Sequence, residues 1–218
     1  FYANSLRGTS KTLIQIMVVV FSLEAIGTLL IFYTLDTGFG TMDERFFFSV
    51  FHAVSALCNA GFSTLSSSLY EESVRYNYSL HLIVAFLILF GSIGYIAMIA
   101  IYDYAVGLAS YWQLRLFDTS FRKKKQRIKP KIGLNTRIVL WTTGLLVSAG
   151  MLLFYGLETG NTLASHDTLF GKLTTAFFGS VTTRTAGFNT VDMSMLSLPT
   201  ITIVIFLMWI GASPGSTG

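Results

Sequence analysis

Long apolar blocks dominate this sequence and leave few folds open to it. A helix needs about 20 mainly apolar residues to cross a hydrocarbon core of about 30 Å. Blocks at residues 12–34, 80–101 and 138–157 are long enough to cross as helices, and a fourth, 198–210, is interrupted by glycine and proline. Only 12% of residues are charged, against about 25% in soluble domains. The prediction is an all-α integral membrane protein, because helices satisfy their own backbone in lipid.

Positive charge is concentrated on one side of these blocks. Eleven of the fifteen lysines and arginines precede the first block or lie between the second and third, nine of them within residues 111–137. The positive-inside rule places that segment in the cytoplasm. We interpret it as a topology determinant near anionic membrane lipid, with a docking surface for a cytoplasmic partner as the alternative. This distribution does not indicate nucleic acid as a partner.

The sequence also repeats itself in order. Residues 31–38 match 153–160, and residues 59–64 match 185–190, at offsets of 122 and 126. Phe90-Gly91 matches Ile210-Gly211 at an offset of 120. Each unit therefore consists of a span, an outer segment and a second span. The predicted organisation is a first unit at 1–110, a basic cytoplasmic linker at 111–137 and a second unit at 138–218.

Each outer segment contains an apolar stretch that is too short to cross a membrane. Residues 46–57 and 169–181 would extend about 18–20 Å as helices. Asp43 and Glu44 precede the first and Asp167 the second, as is typical of a helix N-terminus. Both stretches lead to Ala-Gly-Phe, and irregular backbone at membrane depth must be buried in protein or line a cavity. Two re-entrant pore helices are predicted, with ordinary outer loop helices as the alternative.

The loops after these stretches have the composition of a cation filter. A helix entering from outside directs its negative C-terminal end toward the membrane centre, and backbone carbonyls can replace the hydration shell of potassium. Gly61 and Gly187 can reach positive φ without a Cβ clash, whereas Phe62 and Phe188 are interpreted as wedges against neighbouring helices. The predicted ion-binding residues are Asn59, Ala60, Gly61, Phe62, Thr185, Ala186, Gly187 and Phe188, with K⁺ at the Gly61 and Gly187 loops.

The fourth apolar block breaks at a flexible polar string that could obstruct hydrated ions. Pro214 removes a helix donor, neighbouring glycines add flexibility, and a packing kink is the alternative. The predicted gate residues are Gly211, Ala212, Ser213, Pro214, Gly215, Ser216, Thr217 and Gly218. A membrane helix is not expected to end in mid-membrane, so the native polypeptide is expected to continue.

Two further polar residues are given structural roles. Glu24 lies within the first span, where a carboxylate is a functional hypothesis by default; bracing of a nearby loop through backbone hydrogen bonds is the preferred interpretation. Arg184 lies three residues before Gly187 and would repel K⁺ if unpaired. We predict that it pairs with an acid, with Asp192 as a candidate, or with pore-loop carbonyls.

The motifs at residues 58–63, 182–190 and 211–218 resemble the Trk/Ktr/HKT superfamily of potassium transporters, most of all the bacterial Ktr-type pore subunit. The resemblance implies four span–pore loop–span units around one pore, with the second and third present here. It implies that Gly61 and Gly187 are filter glycines and that residues 211–218 form the gate. It also implies a homodimer of the full-length chain, a cytoplasmic nucleotide-binding regulatory subunit, and a multi-pass position in the cell (inner) membrane.

Together these features predict potassium uptake through a gated, channel-like pore, with K⁺ as the transported ion and no covalent cofactor. A sodium-selective transporter or a sodium–potassium symporter is the alternative, and glycine at both filter positions favours potassium. A membrane-embedded enzyme or receptor is a remote alternative, because no nucleophile–base pair, metal-ligand spacing or cofactor fingerprint is visible. His52 and His81 are interpreted as hydrogen-bonded structural groups rather than ligands.

Overall fold

The computed structural model describes residues 2–35, 39–117, 133–213 and 215–216. Within them the chain forms seven α-helices, three short 3₁₀ turns and no β-strand, which confirms the predicted all-α class. The helices are α1 (Tyr2–Thr34), α2 (Met42–Leu57), α3 (Tyr78–Ile93), α4 (Tyr95–Phe117), α5 (Leu134–Glu158), α6 (Leu169–Thr185) and α7 (Leu198–Ile210).

Some predictions concern residues outside these described ranges. They are the repeat at residues 36–38, the basic linker over 118–132, and the gate residues Pro214, Thr217 and Gly218. The proposed limits of the two units and the linker therefore stay predictions.

Two helices, α1 and α5, are long and apolar enough to cross a membrane. The qualifying part of α1 is Thr12–Thr34, and α5 qualifies over its whole length. Large apolar side chains along both helices are exposed, including Phe21 at 61% and Trp141 at 75%. Such surface is expected where lipid is the solvent.

The apolar block at 80–101 does not form one continuous helix, as the sequence had indicated. α3 ends at Ile93 and α4 begins at Tyr95, with a bend of 108° between Tyr78–Ile93 and Ala97–Ser110. Gly94 makes the break at φ 89° and ψ 149°, a conformation that is essentially restricted to glycine. The prediction of a continuous helix was wrong because hydropathy carries no information on the backbone angles of one glycine.

The two short helices between the spans are α2 and α6. α2 opens with a capping box, in which Thr41 N–H donates to Glu44 Oε2 over 2.7 Å and Glu44 N–H donates to Thr41 Oγ1 over 3.3 Å. These bonds, the backbone one foremost, hold the pKa of Glu44 below its usual value. At α6 the cap is Thr168, whose Oγ1 accepts from Gly171 N–H over 3.0 Å, and Asp167 directly precedes it, as the sequence indicated.

The core lies where α2 and α3 of the first unit meet α6 of the second. One cluster of buried side chains joins both units and includes Leu57, Leu80, Ile88, Phe178 and Phe188. Because α2 and α6 share this core, the loops at their C-terminal ends are brought together.

Candidate functional site

The two glycine loops lie against each other. Gly61 and Gly187 adopt φ values of 71° and 91°, which L-residues with side chains rarely adopt. A Cβ added to Gly61 would lie 2.0 Å from the carbonyl oxygen of Ala186. A Cβ added to Gly187 would meet no heavy atom within 4 Å beyond its chain neighbours. Gly61 is therefore required for close approach of the loops, and Gly187 faces open space.

A hydrogen bond joins equivalent residues of the two loops. Asn59 and Thr185 are 126 residues apart, the offset of the repeat, and the Thr185 hydroxyl donates to Asn59 Oδ1 over 2.8 Å. Asn59 has φ 52°, a left-handed conformation in which asparagine is enriched. The contact therefore brings the two loops together at equivalent positions of the repeat.

Each short helix uses a hydroxyl to hold the loop that follows it. Ser55 Oγ donates to the Phe62 carbonyl over 2.8 Å, and Thr182 Oγ1 donates to the Phe188 carbonyl over 3.0 Å. The ring of Phe188 is fully buried, whereas that of Phe62 is 69% exposed. The wedge interpretation agrees with the burial of Phe188 and stays a prediction for Phe62, because the described residues do not cover that side of the first loop.

The described part of the string after α7 is bonded to the break between α3 and α4. Ser213 N–H and Oγ both donate to the Ser92 carbonyl over 3.1 Å, and Ser213 Oγ also contacts the Ile93 carbonyl. Tyr95 N–H donates to the Gly215 carbonyl over 3.0 Å. Helix ends leave such backbone groups without intrahelical partners. The backbone groups at the break between α3 and α4 therefore pair with groups of the string after α7.

Arg184 connects the end of α6 with the start of this string. Its side chain is 7% exposed, and Nη2 donates to the Gly211 carbonyl over 2.9 Å. Asp192, the acid considered as its partner, instead accepts from the backbone N–H and hydroxyl of Ser194 at 2.9 and 2.6 Å. These bonds, the hydroxyl one foremost, lower the pKa of Asp192. The predicted pairing with Asp192 is not found among the described residues, since the Arg184 guanidinium donates to the Gly211 carbonyl instead.

Glu24 and the histidines have different surroundings. Glu24 is half-buried on α1, and no hydrogen bond reaches it from the described residues, so its bracing role stays a prediction. His52 has hydrogen-bond partners at both ring nitrogens, as predicted. His81 is fully buried, and no described group meets hydrogen-bond geometry with its nitrogens, although the carbonyls of Leu69 and Val74 lie nearby.

Glu158, at the end of α5, is a buried carboxylate to which the sequence analysis gave no role. Its Oε2 accepts from Asn161 Nδ2 at 3.0 Å and from the N–H and hydroxyl of Thr162 at 3.4 and 2.8 Å. Its Oε1 accepts from the N–H and hydroxyl of Ser197 at 3.0 and 2.8 Å and from the Thr200 hydroxyl at 2.6 Å. This carboxylate joins α5 to the N-terminus of α7. The one available signal was its place in the repeat, where Leu-Glu-Thr-Gly at 157–160 matches Leu-Asp-Thr-Gly at 35–38.

His166 joins the two units at the start of α6. Its ring is buried, with Nδ1 2.9 Å from Tyr78 Oη and Nε2 3.3 Å from Thr175 Oγ1. Burial lowers the pKa of His166, and the nearby charges of Arg75 and Lys172 lower it further. A neutral ring at this position fits its two hydroxyl partners, since it can donate to one and accept from the other.

Fold and site together define an all-α membrane protein in which two short helices, α2 and α6, each lead into a glycine loop and the two loops lie against each other. A family model described as "TrkH: Cation transport protein" matches residues 3–218. The chain therefore belongs to the TrkH family of cation transport proteins, which are transporters and not enzymes.

Curated relatives agree with this family. The potassium/sodium uptake protein NtpJ of Enterococcus hirae is 32% identical over 98% of this chain and 42% of that protein. The Ktr system potassium uptake protein B of Vibrio alginolyticus is 33% identical over 92% of this chain and 40% of that protein. Protein D of the Ktr system of Bacillus subtilis is 28% identical over 99% and 43%. The chain spans about two fifths of the length of these relatives.

Proposed function

We propose that this chain is part of a multi-pass potassium uptake protein of the inner membrane, in which ions pass beside the loops after α2 and α6. The observation that carries the proposal is the hydrogen bond between the equivalent residues Asn59 and Thr185, which joins the two glycine loops. Carbonyls of such loops can replace the hydration shell of K⁺. The C-terminal ends of both short helices add negative potential beside the loops.

The proposed ion-binding residues remain the two Asn/Thr-Ala-Gly-Phe strings. Among them, the Phe62 and Phe188 carbonyls already accept hydroxyls from the helices behind them. The carbonyls of Ala60, Gly61, Ala186 and Gly187 are therefore the stronger candidates for direct contact with the ion. Uptake of potassium in the names of the relatives supports K⁺ as cargo, and the potassium/sodium name of one keeps sodium transport or symport as the alternative.

The string at residues 211–218 is proposed as the gate. Its described residues are held by Ser92, Tyr95 and Arg184, so a moving gate would exchange these hydrogen bonds for others. A homodimer of the full-length chain, a cytoplasmic nucleotide-binding regulatory subunit and lipid contact at the basic linker complete the proposal. The resemblance to Ktr-type proteins supports the first two, and the charge of the linker supports the third.

Gly187→Ser in the full-length protein is expected to lower the preference for K⁺ over Na⁺ by roughly tenfold, since a left-handed L-residue costs about 1–2 kcal/mol. The space around Gly187 accommodates the side chain, so the protein should still fold. Competitive K⁺ and Na⁺ uptake into proteoliposomes measures the effect. Gly156→Ser, at an exposed glycine of α5 that also has open space, is the matched control. Equal preference in the two variants would refute the filter assignment.

Deleting residues 211–218 from the full-length protein is expected to raise K⁺ flux several-fold, because the proposed obstruction is removed. Flux through proteoliposomes, normalised to the amount of folded protein, is the measurement. Ser213→Ala is a milder companion variant that removes the hydroxyl contacts to the end of α3 and leaves the string in place. Unchanged flux and gating after the deletion would reject the gate and favour a packing kink.

A further inference from the structure

One buried side chain, His52 on α2, touches both glycine loops and belongs to neither. Its Nε2 lies 2.9 Å from Ser63 Oγ, two residues after Gly61. Its ring is stacked on Phe48 at a centroid distance of 3.8 Å, and it faces Phe188, the residue after Gly187, at 6.2 Å and 30°. His52 is fully buried, and the ring of Phe51 also meets it edge-on at a centroid distance of 5.7 Å.

The hydrogen bonds of His52 select a single tautomer. Nδ1 lies 2.9 Å from the Phe48 carbonyl, which can only accept, so Nδ1 carries the proton. In the neutral ring Nε2 is then an acceptor, and the Ser63 hydroxyl donates to it. Ser63 Oγ in turn accepts from Leu65 N–H over 3.1 Å. Every hydrogen bond in this series therefore has a fixed donor and a fixed acceptor. Together these bonds hold the first loop in one position against α2.

We propose that His52 is a specificity-determining positioning residue, which sets the separation of the two loops and thereby tunes discrimination between K⁺ and Na⁺. The inference rests on the proposed filter function of the loops. Discrimination by carbonyls depends on the size of the site or on the strength and number of its dipoles, and both change when one loop shifts relative to the other. His52 fixes the first loop by a hydrogen bond and the second by packing against Phe188, so it couples the two.

Another buried histidine provides a matched comparison. His81 is also fully buried and lies next to aromatic rings, those of Tyr78 and Phe178, but it has no described contact with either glycine loop. Replacing either histidine by phenylalanine removes a buried imidazole and keeps an aromatic ring. A role that is only structural would give both variants the same phenotype.

The test is competitive K⁺ and Na⁺ uptake by the full-length protein in proteoliposomes. We expect His52→Phe and Ser63→Ala each to lower the K⁺/Na⁺ ratio by about three- to tenfold, the effect of losing the hydrogen bond between them. The double variant should lose less than the product of the two single effects, because both changes remove that shared bond. His52→Gln, with an amide donor and acceptor, should restore part of the ratio, and His81→Phe should leave it unchanged.

Other outcomes separate this inference from the proposed function. If Gly187→Ser changes the ratio while His52→Phe and Ser63→Ala do not, the filter stands and the inference is overturned. An equal loss in His81→Phe would also overturn it, since the effect would then be one of general packing. If Gly187→Ser itself has no effect, the proposed filter fails first. If His52→Phe does not fold, the K⁺/Na⁺ ratio of Ser63→Ala alone tests the inference, because that change removes only one oxygen atom.

Discussion

Gly61→Ala is expected to reduce potassium uptake by the full-length protein on the order of a hundredfold and to abolish its ion preference. The added Cβ would lie 2.0 Å from the Ala186 carbonyl oxygen and 2.9 Å from its carbonyl carbon. Both are backbone atoms, so no flexible side chain can move aside, and the left-handed φ of 71° adds about 1–2 kcal/mol of strain. The loops must separate, and the carbonyls lose their common arrangement.

Potassium uptake in cells that depend on this protein, followed by K⁺/Na⁺ competition in proteoliposomes, measures the loss. Gly156→Ala is the control, because a Cβ there meets nothing within 4 Å and the residue is helical. Gly187→Ala should be milder than Gly61→Ala, since only the backbone strain applies. Normal uptake and preference in Gly61→Ala would show that contact between the loops is not needed for transport.

The sequence predicted the parts of the site that depend on local pattern. Apolar length and the repeated Ala-Gly-Phe strings located both short helices, α2 and α6. α2 begins four residues before the predicted stretch, and α6 ends four residues after it. The positive φ of Gly61 and Gly187 also agrees with the reason given for glycine at these positions. Local pattern sufficed here because helix propensity and glycine conformation are properties of short segments.

Contacts between distant parts of the chain carried no such signal. The bond from Arg184 to Gly211 and those from Ser213 to the end of α3 join residues that are distant in sequence. The break at Gly94 could have been inferred from the repeat itself. Phe90-Gly91 aligns with Ile210-Gly211. Because the sequence indicates a helix break at Gly211, the alignment predicts a second break just after Gly91. The uninterrupted hydropathy of residues 80–101 indicated a continuous helix instead, and that prediction was wrong.

Glu158→Gln is expected to destabilise the protein by about 3 kcal/mol or more, since hydrogen bonds to a charged group contribute about 1.5–3 kcal/mol each. Six donor groups surround the two carboxylate oxygens. A glutamine amide keeps one acceptor oxygen and turns an NH₂ toward the donors on the other side. Whichever way the amide is oriented, either the turn at Asn161 and Thr162 or the start of α7 at Ser197 and Thr200 loses its acceptor.

Thermal unfolding of the full-length protein in detergent, with Glu72→Gln as the control, measures this effect. Glu72 is an exposed carboxylate in the same chain that accepts no hydrogen bond from the described residues, so the same change there should cost little. The loss of stability should extend along α7, because Glu158 also places a negative charge at the N-terminus of this helix, where such a charge is stabilising. The string that begins at Gly211 follows directly from α7, so a loosened α7 should raise K⁺ leak as well as lower stability. A melting temperature equal to that of Glu72→Gln would show that α7 is held by apolar packing and not by this carboxylate.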